Sequence, residues 1–144
     1  MSTLLSPFMF AIQHPIIVVA CVVAQMVIGM VWYGPLFGRS WAKMHGITRD
    51  PKKATLSAMA PALVVNVIGN LIQVMVLGRI LTLTRFSNML APVIVVALIW
   101  LAFNASVTAT GYSYMKKPTT LLAIDVFYSL VAWELMTVII LLSL

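Results

Sequence analysis

Residues 86–115 read FSNMLAPVIVVALIWLAFNASVTATGYSYM, thirty consecutive positions without an Asp, Glu, Lys or Arg. A membrane core about 30 Å thick is crossed by roughly 20 apolar residues wound as a helix. This segment is long enough, and others resemble it. Residues 54–78 are free of charge, as are residues 1–38, and residues 118–144 hold only Asp125 and Glu134. The four runs predict spans near 15–35, 56–78, 89–112 and 120–142. Helices are required because lipid offers no partners for open backbone groups. The runs also lack the alternation of a membrane β-barrel strand. The predicted fold is all-α: one transmembrane domain over 1–144, an integral membrane bundle of four transmembrane helices.

The composition agrees. Of 144 residues, nine are Lys or Arg and three are Asp or Glu, so the formal net charge is +6. Hydrophobic residues make up 62% and the mean hydropathy is +1.08. Soluble domains are about a quarter charged, so a disordered chain is excluded and a soluble enzyme disfavoured. The single cysteine, Cys21, excludes a disulfide framework and a Cys-based zinc site. Val18-Val19-Ala20-Cys21 has a trace of a lipoprotein cleavage box, but no Lys or Arg precedes it and apolar sequence follows. Cys21 therefore reads as packed within a helix. No cofactor is expected. His14 and His45 fall at opposite ends of the first span, which argues against a bis-His haem or a His-based metal site. No glycine-rich phosphate loop is present, and the short basic loops make nucleic acid a poor partner.

Basic residues set the predicted topology. Arg39, Lys43, Arg49, Lys52 and Lys53 occupy the first loop and Lys116 and Lys117 the third, against Arg79 and Arg85 in the second. The positive-inside rule then puts loops one and three in the cytoplasm and both termini outside, in an inner (cytoplasmic) membrane. Tyr33, Trp41, Tyr112 and Tyr114 fall near the inner interface, as an aromatic belt would. The prolines fit these bounds. Pro15 and Pro118 open helices, Pro35 closes the first, Pro51 follows a capping Asp50, and Pro61 lies inside the second.

The first loop holds the most distinctive string, Trp32-Tyr33-Gly34-Pro35-Leu36-Phe37-Gly38-Arg39-Ser40-Trp41. Gly34, Pro35 and Gly38 supply a turn. Phe37, Trp41 and Met44 recur at helical spacing while Arg39 and Lys43 point elsewhere. This predicts a short interfacial helix in the first cytoplasmic loop, stopped by Gly46. The loop either anchors the chain at the membrane surface or forms a ligand or partner site. In its Trp-Tyr-x-Pro-x-x-Phe-Gly-x-x-Trp pattern, and in Lys117-Pro118 followed by Leu121-Leu122-Ala123-Ile124-Asp125 and Tyr128, the chain resembles the bacterial family called domain of unknown function 1761. The resemblance covers most of the chain and implies a small four-helix membrane protein with no established activity. That family often has Asn where Asp125 stands and His where Ser129 stands.

Several polar residues fall within the spans. Asn66, Gly69, Asn70 and Gln73 share one face of helix two. Cys21, Gln25 and Gly29 recur four apart on helix one. Asn104, Thr108 and Gly111 mark helix three among small neighbours. Gln25 lies eight residues before Tyr33, and Asn104 eight before Tyr112. Helix four holds two acids. Asp125 lies near its start, where the helix dipole favours a carboxylate and Lys116 or Lys117 comes within reach. Glu134 lies mid-span, with ten residues after it, roughly 15 Å of helix. Nine residues apart, the two acids sit on opposite sides of one helix. If Asp125 faces the bundle, Glu134 faces outward and needs a second subunit, a lipid defect or a proton.

Two readings of function follow. In the first, a small non-enzymatic membrane protein works by assembly, as a homo-oligomer or as a subunit of a larger membrane complex, with the lipid bilayer as its other partner. In the second, a small proton-coupled transporter or channel uses Glu134 and the Asn66, Asn70, Gln73 stripe.

Overall fold

The structure is a computed structural model that describes residues 6–47, 56–84, 86 and 88–144, with backbone alone for 56–59. The Asp50-Pro51 cap and the charges Arg49, Lys52, Lys53 and Arg85 lie outside the described residues. Among those described, every regular element is helical: α1 (Pro7–Gln13), α2 (Pro15–Val31), α3 (Gly38–Met44), α4 (Leu56–Leu83), α5 (Leu90–Trp100), α6 (Ser106–Tyr114) and α7 (Thr119–Ser143). Four stretches are long and apolar enough to cross a membrane: Pro15–Leu36, Ala60–Leu83, Leu90–Tyr114 and Thr119–Ser143.

α7 is the axis of the bundle. It packs along α2 and α5 and also touches α3, α4 and α6. Its sequence explains this centrality. Leu121, Ile124, Ala132, Met136, Thr137 and Ile140 are buried, at helical separations that leave one broad stripe facing its neighbours. Val18, Cys21 and Val22 of α2, Val74, Leu77 and Leu81 of α4, and Val96 of α5 complete the core with Met136 and Ile140. Most other large apolar side chains, Ile16, Val65 and Phe103 among them, are exposed, as lipid-facing residues must be.

Two stretches depart from regular α-winding. Trp32–Leu36 and Leu101–Ala105 are π-helical turns, each inserting one extra residue into its helix. The first corrects the expectation that Pro35 closes the helix. Pro35 lies inside the turn, and the amide of Phe37 reaches back five residues to the Trp32 carbonyl at 2.9 Å. Wider winding leaves room for a residue without an N–H, so the span continues to Leu36 before bending at Phe37. α3 then runs to Met44. Gly46 stops it as expected, at φ +66°. Its amide donates to the Lys43 carbonyl and that of Ile47 to the Ala42 carbonyl, the paired bonds of a Schellman cap.

α1 has no counterpart in the predicted spans. Pro7 stands in its first turn, and the break at His14-Pro15 separates it from α2. The short helix lies against α4, where Phe10 is fully buried. The seat is Gly78: a Cβ there would lie 2.4 Å from the Phe10 ring. Gly78→Ala therefore expels Phe10. The expected cost is about 3–5 kcal/mol, comparable to losing a buried aromatic ring. Detergent unfolding of Gly78→Ala beside Phe10→Ala checks it, and the double variant should lose little more than either single one.

Candidate functional site around Asp125

Asp125 lies six residues into α7, about 9 Å along the helix. Three donors from three different segments converge on its carboxylate. The Tyr33 hydroxyl donates to Oδ1 at 2.8 Å, and the Trp41 indole N–H to the same oxygen at 3.1 Å. The Tyr112 hydroxyl donates to Oδ2 at 2.5 Å. Lys116 and Lys117 are not among these donors. The carboxylate is instead stabilised by neutral O–H and N–H groups, and charge-assisted bonds of this kind are the stronger ones.

The distinctive first-loop string folds onto this point. The π turn places Trp32 and Tyr33 side by side against α7. The Trp32 indole donates to the Ile124 carbonyl at 3.0 Å. α3 then brings Trp41 back to the same place. Tyr33 meets Tyr128 edge-on at 4.9 Å and Trp41 at 5.5 Å, and Phe37 packs on Trp32 at 4.9 Å. Gly38 is buried under α3, while Pro35 and Arg39 stay exposed. His45 stacks on Trp41 at 4.2 Å. The string thus acts as more than a surface anchor. Tyr33, Trp41 and Tyr112 turn inward to one carboxylate, and of the expected aromatic belt Tyr114 stands exposed.

A second polar cluster lies one turn deeper. Ser129 receives the Trp100 indole N–H at 2.9 Å, and its hydroxyl lies 2.8 Å from the Asn104 Oδ1. Asn104 sits in the π turn Leu101–Ala105. The extra residue there re-aims the helix so that Asn104 meets α7 while Ala105 is buried. The α2 stripe behaves as its spacing predicts. Cys21 and Gln25 are buried, and the Gln25 amide donates to the Met136 sulfur at 3.2 Å. A Cβ on Gly29 would lie 3.1 Å from the Tyr128 hydroxyl, so the missing side chain lets α2 and α7 approach.

The α4 stripe is not gathered into this site. Asn70 is buried and donates to Asn66 at 3.0 Å, but Asn66 itself is exposed. Nothing lies within 4 Å of a Cβ built on Gly69. Gln73 instead lines an apolar cleft of about 220 Å³ with Val76, Ile99, Trp133 and Met136. Glu134 lies apart again. Both its carboxyl oxygens are enclosed, with no hydrogen-bond partner among the described residues. This corrects the outward orientation: the residue is half-buried and its head is tucked against the chain, because α7 is packed on several sides. Among the described residues, no group of three His, Cys, Asp or Glu could hold a metal ion.

Sequence spacing singled out Asp125, Tyr33, Trp41 and Tyr112 separately without joining them. The available signal was Asp125, Tyr128 and Ser129 at i, i+3 and i+4 on one face of α7, opposite an aromatic-rich helix end.

The fold and site define a small multi-pass membrane protein whose first loop is tied to its last helix through a carboxylate. The chain matches the family described as protein of unknown function (DUF1761) over residues 16–141, and it belongs to that family. No curated protein and no solved structure matches it.

Tyr112→Phe removes one interhelical bond and is expected to cost about 0.6 to 1.7 kcal/mol, the range for such bonds in membranes. Asp125→Leu leaves three donors without an acceptor and should cost more than any single donor variant. Asp125→Asn, which keeps one acceptor oxygen, should fall between. Equilibrium unfolding in mixed micelles measures all three.

Proposed function

We propose that this protein acts without catalysis of its own, by assembling with itself or with a larger complex in the bacterial inner membrane. The observation that carries this reading is the outer face of α4. Asn66 is exposed at a level where lipid would surround it, and the surface beside it at Gly69 is open. An amide in hydrocarbon is costly unless it is hydrogen-bonded. Small residues beside amides let a neighbouring helix approach closely. A protein partner on this face satisfies the amide and fills the space. A photo-crosslinking residue at Val65, exposed on the same stretch, should give a protein adduct in native membranes, either a second copy or a larger subunit. Lipid adducts alone would refute the assembly reading.

A second reading rests on Glu134. A lone ionised carboxylate in a membrane is expensive, so such residues are functional by default. Carrying a proton, Glu134 would couple a solute path to pH in a small transporter or channel. Reconstituted into liposomes under a pH gradient, the wild-type protein should then pass protons and Glu134→Gln should not. Equal, background-level flux in both would remove this reading. If Glu134 serves assembly, Glu134→Gln should weaken the crosslinked species instead.

Both readings place the ends of the chain outside the cytoplasm, supported by Arg39 and Lys43 on α3 and Lys116 and Lys117 at the α6–α7 turn. Cysteine substituted at Ser143 should react with a membrane-impermeant maleimide in intact spheroplasts, and cysteine at Ser40 only after lysis.

A further inference from the structure

α6 and α7 diverge from the turn that joins them and leave a groove of about 440 Å³. Its walls are Leu101, Ala105 and Ala109 on one side and Leu122, Ala123 and Val126 on the other, with Thr119 at its end. Apart from Thr119 at its end, the side-chain polar atoms near it are engaged. The Ser106 hydroxyl donates to the Ala102 carbonyl, and the Val126 carbonyl lies 2.8 Å from the Ser129 hydroxyl. The groove therefore offers carbon along its length.

Two cations immediately precede its end in the chain. Thr119 follows the Lys116-Lys117-Pro118 turn directly, with Lys116 exposed and Lys117 half-buried. Asp125, the one acid at this end among the described residues, is turned to Tyr33, Trp41 and Tyr112 and leaves the lysines' charge uncompensated. Lys116 also has a left-handed backbone, φ +52°. It stands where a helix terminus of this kind ordinarily has glycine, its amide donating to the Ser113 carbonyl and that of Lys117 to the Tyr112 carbonyl. A non-glycine residue there is strained by roughly 1 kcal/mol. The strained position thus carries a cation three residues before Thr119, within a lysine side chain's reach of the groove's end.

We propose that this groove binds one phospholipid with an anionic headgroup, its phosphate at Lys116 and Lys117 and an acyl chain between α6 and α7. The chemistry fits a ligand that is apolar along its length and negative at one end, and a basic site at this level of a membrane recognises such headgroups.

Native mass spectrometry of the detergent-solubilised protein with added phosphatidylglycerol or phosphatidylcholine tests this. Wild-type protein should retain one phosphatidylglycerol in preference to phosphatidylcholine, on the order of tenfold. Lys116→Gly with Lys117→Gln should abolish the preference. Its first substitution relieves the left-handed backbone, so the loss would not come from unfolding. Ala123→Leu, at an exposed position, fills the groove and should lower retention of both lipids with the lysines intact. Equal retention of the two lipids by wild-type protein would overturn the proposal. So would a preference lost with the lysines but untouched by Ala123→Leu, which marks surface charge alone. A change of oligomeric state in Ala123→Leu with lipid retention unaltered would assign the groove to a second copy instead.

Discussion

One carboxylate ties the ends of this chain together. Asp125 accepts hydrogen bonds from Tyr33, Trp41 and Tyr112, and these come from the first span, the helix after it and the third span. Each donor is ordinary alone. Together they fix where the first loop lies, how α2 meets α7, and how far α6 swings from α7. The remaining contacts of the first-loop string follow: Trp32 on the Ile124 carbonyl, Phe37 on Trp32, and His45 on Trp41. The constraint is strong because a membrane offers few other partners for a carboxylate. Neutral donors hold it without a second charge, so the site needs no buried lysine.

The same constraint makes the remaining polar groups informative. Gln25, Asn70, Asn104 and Ser129 all have partners within the chain. Glu134 has none among the described residues, and Asn66 holds one bond while facing outward. In water neither would matter much. In hydrocarbon an unpaired polar group is costly, and these two residues are the ones on which the proposed functions rest.

The four long helices were legible from the gaps between charges, because hydrocarbon excludes charge over a fixed thickness and the chain must respect it. Gly46 was legible as a stop because a Schellman cap demands a left-handed residue. α1 was not legible, since seven residues are too few to stand out and its seat depends on Gly78 far along the chain. The π turns were also hidden. They arise where packing on α7 re-aims Asn104 and Tyr33, and nothing in the local sequence requires an extra residue per turn. The Asp125 site was visible as parts only. Its donors lie thirteen to ninety-two residues away, beyond any helical periodicity, and Trp41 joins it only because α3 folds back.

The distance in sequence between these partners has a consequence for biogenesis. Phe10 cannot seat until Gly78 has entered the membrane, one span later. Tyr33 and Trp41 must wait longer, until α7 delivers Asp125. Through that interval a tyrosine and two tryptophans sit at a membrane surface with their donors turned to water and headgroups, which such side chains tolerate well. The aromatic character of the first loop therefore suits both stages: it is tolerated at an interface while the protein is half made, and it later closes the finished one. A carboxylate in the first span would have had to wait unpaired. Placed in the last, it arrives with all its partners already in position.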